Sequence, residues 1–388
     1  MTYDFDSVVN RRGSESLKWD VAEHELPMWV ADMDFPTAPC IRQALEKRVS
    51  HGIYGYSILP PEWAKSYVTW WDQRHGLKMQ EEELVFVTGV VPAISSAVRK
   101  FTTPGEKVAV ITPVYNIFFN SIVNNGRVPV QCVLKYDGSS YSLDFEELER
   151  VLSDPQVSLL ILCNPQNPVG RIWTREELAR MGELARKHGV LVFSDEIHCD
   201  LTDPGKEYVP FAAASEENRM HSITAMAPTK CFNIAGIQTA AVYAADPVLR
   251  HRIWRQINTD EVGEGNVFAA DAAIAAFTQG GTWLDELRAY IYENKQFAYR
   301  FFREKLPKVH ALRQDCTYLM WLDVSAYLKE GETSKGLAQR IREKTGLFLS
   351  HGRQYRGDGE SFLRLNVACP RKTLEEGLRR LVQGLEEE

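Results

Sequence analysis

Lys230 is the residue whose surroundings depart most from those usual for its type. It is the only Asp, Glu, Lys or Arg between Met220 and Tyr243, within the segment AMAPTKCFNIAG. Most lysines are solvated surface charges, but this apolar context predicts a buried amine. Burial lowers the pKa of an ammonium group, and the resulting neutral amine condenses with an aldehyde to form an imine. The alternative interpretation is a lysine that caps a buried carbonyl.

Asp195 is the second candidate, because it directly follows the apolar run VLVFS. A carboxylate at the end of a strand can pair with a protonated ring nitrogen, which keeps the ring an electron sink for a carbanion. His198 is placed to orient that carboxylate. The alternatives are a helix cap or turn, and a metal site in the same stretch formed by Asp195, His198, Cys199 and Asp200. No distant ligand group of recognised spacing joins these four residues, so we predict no metal site.

Two turns follow other apolar runs. Asn167 lies in NPQNPVG after VSLLILC, where two Asn-Pro steps favour extended backbone and Gly170 permits a positive φ. An amide held there can donate to a phenolate oxygen, although a tight loop alone explains the motif.

The segment TGVVPAI predicts a helix start after Gly89, and the free N–H groups of that helix start suit a phosphate. The GEG at 263–265 has no third glycine and no preceding strand, which excludes a dinucleotide site.

Tyr115 and Arg364 complete the set of candidates. Tyr115, after the run KVAVIT, can stack on an aromatic ring or simply pack in the core. Arg364 lies inside the apolar segment FLRLNVACP, where a buried guanidinium requires a partner. A bidentate substrate carboxylate and a structural salt bridge both satisfy that requirement.

The elements that must position these residues follow an α/β pattern. From residue 84 onward, the apolar runs LVFV, KVAVIT, VSLLILC and VLVFS alternate with amphipathic helices predicted at 92–100, 117–124 and 176–188. This order predicts a mainly parallel sheet, whose ligands lie beyond the carboxyl ends of the strands. After SITAMA and QTAAVYA, a long connecting helix is expected through about residue 294.

A second, smaller α/β unit is expected after that helix. It comprises the strand TYLMWLDV, a helix at 334–344, the strands LFLS and FLRLNVA, and a terminal helix from residue 371. We therefore predict a large domain at 51–285 and a small C-terminal domain at 286–388. The N-terminal segment, 1–50, is expected to pack with the small domain.

Composition limits the classes of partner. The 388 residues are 44% hydrophobic with a net charge of -7, and no basic stripe suits nucleic acid. No apolar leader or spanning segment is apparent, so we expect a soluble cytoplasmic protein. Seven cysteines without CxxC spacing are interpreted as reduced thiols.

These motifs in this order resemble fold type I enzymes that use pyridoxal 5′-phosphate (PLP), and within them the MalY/PatB cystathionine β-lyases, a group of C-S lyases. The resemblance covers nearly the whole chain through VADMDFPTAPCI, HGIYGYS, TPVYNIFF, CNPQNPVGRIWT, SDEIHCDL, TKCFNIAG, TYLMWLD and FLRLNVACPR. It implies an aspartate aminotransferase-like fold and a homodimer.

The resemblance also implies a role for each candidate. Lys230 holds the cofactor, Asp195 pairs with its ring nitrogen and Asn167 donates to its hydroxyl. Further implied contacts are stacking by Tyr115, phosphate binding by Val90, Val91 and Thr229, a phosphate contact from Tyr56 of the partner subunit, and binding of the substrate α-carboxylate by Arg364, with Asn167 beside it. His198 stands where many aminotransferases carry an aromatic residue, which favours the lyase branch.

The implied reaction is α,β-elimination from an amino acid with sulfur on Cβ, giving thiol, pyruvate and ammonia. Lys230 removes the Cα proton, and Tyr56 or Tyr115 protonates the departing sulfur.

Two positions depart from related enzymes, which commonly have Ser at the position of Ala227 and Arg at that of Gln238. The alternatives are a class I/II aminotransferase, and a protein of this fold that acts mainly through a regulatory protein partner.

Overall fold

A computed structural model describes residues 2–386 and has an α/β architecture. Its strands are β1 (Leu26–Pro27), β2 (Leu84–Val87), β3 (Lys107–Thr112), β4 (Val128–Val133), β5 (Lys135–Tyr136), β6 (Tyr141–Ser142), β7 (Val157–Cys163), β8 (Leu191–Asp195), β9 (Ser222–Met226), β10 (Ala240–Tyr243), β11 (His310–Ala311), β12 (Leu319–Asp323), β13 (Leu347–Phe348), β14 (Ser350–His351) and β15 (Phe362–Asn366).

Its α-helices are α1 (Pro39–His51), α2 (Pro61–His75), α3 (Val90–Phe101), α4 (Ile117–Val123), α5 (Phe145–Leu152), α6 (Arg175–Lys187), α7 (Phe211–Ala214), α8 (Glu216–Met220), α9 (Pro247–Thr259), α10 (Ala269–Gln279), α11 (Gly281–Lys305), α12 (Ser334–Thr345) and α13 (Arg371–Leu385). No helix within residues 2–386 combines the length and apolar character needed to cross a membrane.

The larger sheet has the strand order β2-β10-β9-β8-β7-β3-β4. Strand β10 is antiparallel to both neighbours, and the other pairs are parallel. Alternate side chains of its central strands enter different cores. For example, Val108 and Val110 pack with α3, α4 and α9, whereas Ala109 and Ile111 pack with α5 and α6. Helices thus cover both faces, which explains the nearly continuous apolar runs of these strands.

A smaller sheet, β11-β12-β15-β14, follows in the C-terminal part. Strand β1 of the N-terminal segment pairs in parallel with β13, joining Leu26 to Leu347 and Pro27 to Phe348. The division at 51–285 and 286–388 remains a proposal, and the second boundary falls within α11.

Most predicted elements are confirmed to within a few residues, with three differences. The helical region after β10 comprises α9, α10 and α11 rather than one long helix, and α11 extends to Lys305. The run LFLS divides into β13 and β14, which join different sheets. Strand β4 was not predicted from the sequence. It lies at the edge of the sheet, and because most of its residues are exposed or half-buried, it lacks an apolar run.

Candidate active site

A cavity of about 280 Å³ lies at the carboxyl edge of the larger sheet. Its wall includes most of the predicted site residues, namely Val90, Val91, Tyr115, Asn167, Asp195, His198, Thr229 and Lys230. The parallel strands bring them together because Tyr115 follows β3, Asn167 follows β7, and Lys230 follows β9. The pairing of Cys163 with Asp195 places the ends of β7 and β8 side by side.

The Lys230 amine lies within this cavity and is buried. Its Nζ donates to the carbonyl oxygen of Ala31 over 2.6 Å, and the Tyr318 hydroxyl donates to the same oxygen over 3.0 Å. The lysine therefore caps a buried carbonyl, as the alternative interpretation held, and it also faces the cavity. Burial, with the positive charge of Arg364, lowers the pKa of Lys230 to about 8. A neutral amine is accordingly available near neutral pH.

Asp195 is a buried carboxylate at the end of β8. Its Oδ1 accepts the N–H of Ile197 over 3.1 Å, and across residues 2–386 it forms no ion pair with a Lys, Arg or His side chain. Burial raises the pKa of Asp195 to about 7, which Lys230 opposes only in part. A cationic group in the cavity would therefore stabilise its charged form.

His198 lines the same cavity but makes no hydrogen bond to Asp195 among the described residues. Its buried Nδ1 has no partner there. Burial lowers the pKa of His198 to about 3, with a smaller contribution from the positive charges of Lys230 and Arg364. The imidazole is neutral at physiological pH, and its orienting role toward Asp195 remains a prediction.

Arg364 extends from β15 of the smaller sheet to Asn167, which lines the cavity, although Arg364 is not itself among the lining residues. Its Nη1 donates to Oδ1 of Asn167 over 3.3 Å, and its Nη2 donates to the carbonyl of Trp29 over 2.9 Å. The guanidinium carbon lies 4.8 Å from the ring centroid of Tyr355, while the buried Nε has no partner in the described part of the chain. The structural salt bridge offered as an alternative is absent from residues 2–386, which leaves this cation able to receive a carboxylate.

The start of α3 forms another side of the cavity. Gly89, in extended backbone, precedes Val90, and the first N–H groups of a helix lack partners within it. Thr229 and Gln238 also line the cavity, and Lys230 is the one Lys or Arg among its described lining residues. Apart from Lys230, the donors that these lining residues offer to an anion are therefore neutral.

The NPQNPVG turn is built as its sequence indicates. Gly170 has a φ of 69°, and a Cβ there would overlap the Gln314 side chain, so both backbone conformation and close approach require glycine. The Gln166 amide donates to the carbonyls of Ile111 and Pro113, at 2.9 and 2.8 Å. These contacts anchor the turn that contains Asn167 to the end of β3.

Sequence reasoning missed several residues of the site. Ala31 reaches the cavity through its carbonyl, and nothing in its side chain signals that role. Cys163 also lines the wall, and its position as the last residue of β7 is a usable signal. Glu196, which follows Asp195 but is not among the residues that line the cavity, was not singled out either. It is fully buried and accepts from Ser194 Oγ and the Phe211 N–H, at 2.7 and 2.9 Å, and from the Tyr208 hydroxyl.

Comparison with known proteins decides the family. The model of the family described as "Aminotransferase class I and II" matches residues 25–381. The chain belongs to this family. Among curated members, cystathionine beta-lyase PatB of Bacillus subtilis is 43% identical over 98% of this chain and 100% of its own length. The resemblance to MalY/PatB proteins predicted from the motifs is confirmed.

Solved structures of this family have the same fold. Cystalysin from Treponema denticola, which contains a pyridoxal 5′-phosphate cofactor, superposes with a TM-score of 0.95 at 32% identity and 99% coverage of both chains. The PLP-bound C-S lyase from Staphylococcus hominis gives a TM-score of 0.93 at 30% identity, over 100% of this chain and 99% of that one. The predicted aspartate aminotransferase-like fold is therefore confirmed.

Tyr56, one of the predicted site residues, lies apart from the cavity. Tyr56 is fully exposed, in the extended segment between α1 and α2, and is not among the residues lining the cavity. Its neighbours include Asn266 and Val267. A single chain therefore does not bring Tyr56 to Lys230, and its predicted contact with a partner's cofactor remains a prediction.

Proposed function

We propose that this chain is a PLP-dependent carbon–sulfur lyase that releases thiol, pyruvate and ammonia from cystathionine and related sulfur amino acids. The full-length identity of 43% to a cystathionine beta-lyase carries this proposal over transamination. The cavity supports it, because Gln238 stands in its wall at the position where many aminotransferases have arginine.

The residues present fit the cofactor. Lys230 provides a buried amine with a lowered pKa for covalent attachment. Asp195 is a buried carboxylate without a cationic partner among residues 2–386, which suits a protonated ring nitrogen. The start of α3, at Val90 and Val91, offers N–H groups to the phosphate, and Thr229 lies on the same wall. The amide of Asn167, which lines the cavity, would donate to the ring hydroxyl.

When bound, PLP accepts the electrons left on an amino acid as its Cα proton departs. Arg364 binds the substrate α-carboxylate with the help of Asn167, and so fixes which Cα–H bond faces Lys230. The Lys230 amine then removes the Cα proton. Its lowered pKa suits this step, because a general base works best near the pH of operation.

Loss of the Cβ–S bond needs a proton for the departing thiolate. Tyr115 lines the cavity, and burial raises the pKa of its hydroxyl to about 12, so the hydroxyl stays protonated near pH 7. We assign it the protonation of sulfur, with Tyr56 of a partner subunit as the alternative. The overall reaction converts cystathionine and water into homocysteine, pyruvate and ammonia.

We further propose a homodimer in the cytoplasm. The segment around Tyr56 exposes an unusual series of large apolar side chains, Ile53, Tyr54, Tyr56, Ile58 and Leu59. Exposed apolar patches of this kind mark association surfaces. A second copy that covers this segment would also deliver Tyr56 to a neighbouring cavity.

Incubation of the PLP-loaded protein with cystathionine alone tests the reaction type. We expect steady release of pyruvate and free thiol in stoichiometric amounts, without any added keto acid. Turnover that requires a keto acid, with no thiol released, would replace the lyase with an aminotransferase.

A further inference from the structure

Three side chains capable of binding a metal, His75, Cys199 and Asp200, converge in the part of the chain that the structure describes, and the thiol of Cys231 lies beside one of them. Ligand atoms of His75, Cys199 and Asp200 all lie within 4.8 Å of one another. The Sγ of Cys231 lies 3.7 Å from Oδ2 of Asp200, and the Sγ of Cys199 lies 3.8 Å from the same oxygen. His75 Nε2 is 3.0 Å from Oδ1.

The fold assembles this cluster from three distant segments. Cys199 and Asp200 lie in the turn after β8, and Cys231 lies in the turn after the neighbouring strand β9. His75 is the last residue of α2, whose C-terminal end carries partial negative charge that favours a cation. The distant ligand that the local spacing of Cys199 and Asp200 lacked is thus supplied by a helix more than a hundred residues earlier.

The chemistry of these ligands is specific. One imidazole, two thiols and one carboxylate form a mixed nitrogen, sulfur and oxygen set, which is typical of tetrahedral zinc. Zinc binds such ligands at about 2.0–2.3 Å, which places ligand atoms about 3–4 Å apart. The three separations from Asp200, 3.0 Å from its Oδ1 to His75 and 3.7 and 3.8 Å from its Oδ2 to Cys231 and Cys199, are of that size.

The surroundings resemble those of a closed site. Cys231 is 0% exposed, Cys199 is 3% exposed and Asp200 is 5% exposed. The indole Nε1 of Trp70 donates to both carboxylate oxygens of Asp200, at 3.0 and 3.2 Å. Such an outer hydrogen bond orients a ligating carboxylate.

The geometry points to a structural zinc site formed by His75, Cys199 and Asp200, with the neighbouring Cys231 as the candidate fourth ligand. Zinc binding requires both thiols to lose their protons, and burial opposes this because it raises the pKa of Cys199 and of Cys231. The charge of the ion must offset that cost. Cys199 follows His198 and Cys231 follows Lys230. A bound ion would therefore cross-link the two turns that carry the cavity residues His198 and Lys230, and stabilise the native state.

Cobalt(II) is the probe, because a tetrahedral cobalt site with thiolate ligands absorbs in the red, beyond the absorption of PLP. The holoenzyme is dialysed against a chelator and titrated with Co²⁺, and then Zn²⁺ is added. We expect one cobalt per chain, with red bands that zinc abolishes, and a melting temperature raised by either ion.

The double variant Cys199→Ser/Cys231→Ser should lose both the bands and the thermal shift. The matched control, Cys132→Ser/Cys369→Ser, removes two buried thiols elsewhere and should keep them. His75→Gln provides a second test if the double variant does not fold, and it should change the bands and weaken binding at least tenfold. A holoenzyme without red bands, or variants that bind cobalt as well as the parent, would overturn the site.

Discussion

Arg364 and Asn167 meet between the two sheets, where Nη1 of the arginine donates to Oδ1 of the asparagine over 3.3 Å. The two residues are 197 positions apart, one on β15 and the other in the turn after β7. The contact joins the proposed carboxylate receptor to the proposed cofactor ligand. Any motion between the sheets that loosens it would affect substrate binding and cofactor orientation together.

Replacing Arg364 by alanine should weaken substrate binding more than it slows turnover. A charge-assisted pair contributes about 1.5–3 kcal/mol, so KM should rise roughly ten- to more than a hundredfold. Steady-state kinetics with cystathionine measures the effect. Arg353→Ala, which removes an exposed arginine paired with Glu360, is the control and should leave KM unchanged. An unaltered KM in Arg364→Ala would count against its assignment.

Replacing Lys230 by alanine should abolish covalent attachment of PLP and turnover while the fold is kept. Borohydride reduction followed by peptide mass spectrometry locates the attachment in the parent and should find none in the variant. The exposed Lys78 provides the control, since Lys78→Ala should retain both properties. Normal turnover by Lys230→Ala would remove the basis of the proposed function.

Asp195→Asn should have opposite effects with and without cofactor. In the cofactor-free protein the pKa of Asp195 is raised to about 7, so the folded state holds its proton more tightly than the unfolded state. The contribution of Asp195 to the free energy of unfolding is therefore fully present below the ordinary carboxyl pKa of about 4. It is lost as pH rises to about 7, because the buried carboxyl must then ionise. The cofactor-free variant should therefore be more stable than the parent at pH 8, and the difference should vanish toward pH 4.

With PLP bound, the same substitution removes the partner of the ring nitrogen, so cofactor affinity and turnover should fall. Thermal unfolding across pH, with and without PLP, measures both effects. Asn in place of the exposed Asp20 is the control. A cofactor-free variant that is less stable than the parent at pH 8 would show that Asp195 carries no burial penalty.

The buried ion pair between Lys295 and Asp203 should be important for stability. Lys295 is 0% exposed, and its Nζ lies 2.7 and 2.9 Å from the two carboxylate oxygens. Lys295→Met leaves a buried carboxylate unpaired and should cost about 3–5 kcal/mol in urea unfolding. Adding Asp203→Asn should recover part of that loss. Arg379→Ala, at the exposed pair with Glu376, should cost less than about 1 kcal/mol.

Mixed dimers test the proposed sharing of Tyr56. Tyr56→Phe and Lys230→Ala should each be poorly active alone. If Tyr56 serves the neighbouring site, subunit exchange between them should restore activity, because one site of the mixed dimer then has both native residues. Sedimentation measures the dimer, and pyruvate release measures the recovery. Activity that stays at the level of the separate variants would show that Tyr56 does not serve the neighbouring site.

Much of this protein was determined by its sequence alone. Apolar runs at the spacing of βαβ units specified a mainly parallel sheet, because strands buried on both faces must be apolar throughout. A lysine in an apolar segment, and an aspartate after such a strand, specified two cavity residues, because the carboxyl ends of parallel strands share one edge. The order of the motifs specified the family.

Only the tertiary structure decided which distant groups meet. It placed the Ala31 carbonyl against Lys230, which no side chain signals, and left Arg364 without a carboxylate partner in the described chain. It also brought His75 to Cys199, Asp200 and Cys231, although their local spacing predicted no metal site. Local pattern encodes burial and backbone conformation, whereas contacts between segments depend on how helices and strands pack, and this packing appears only in three dimensions.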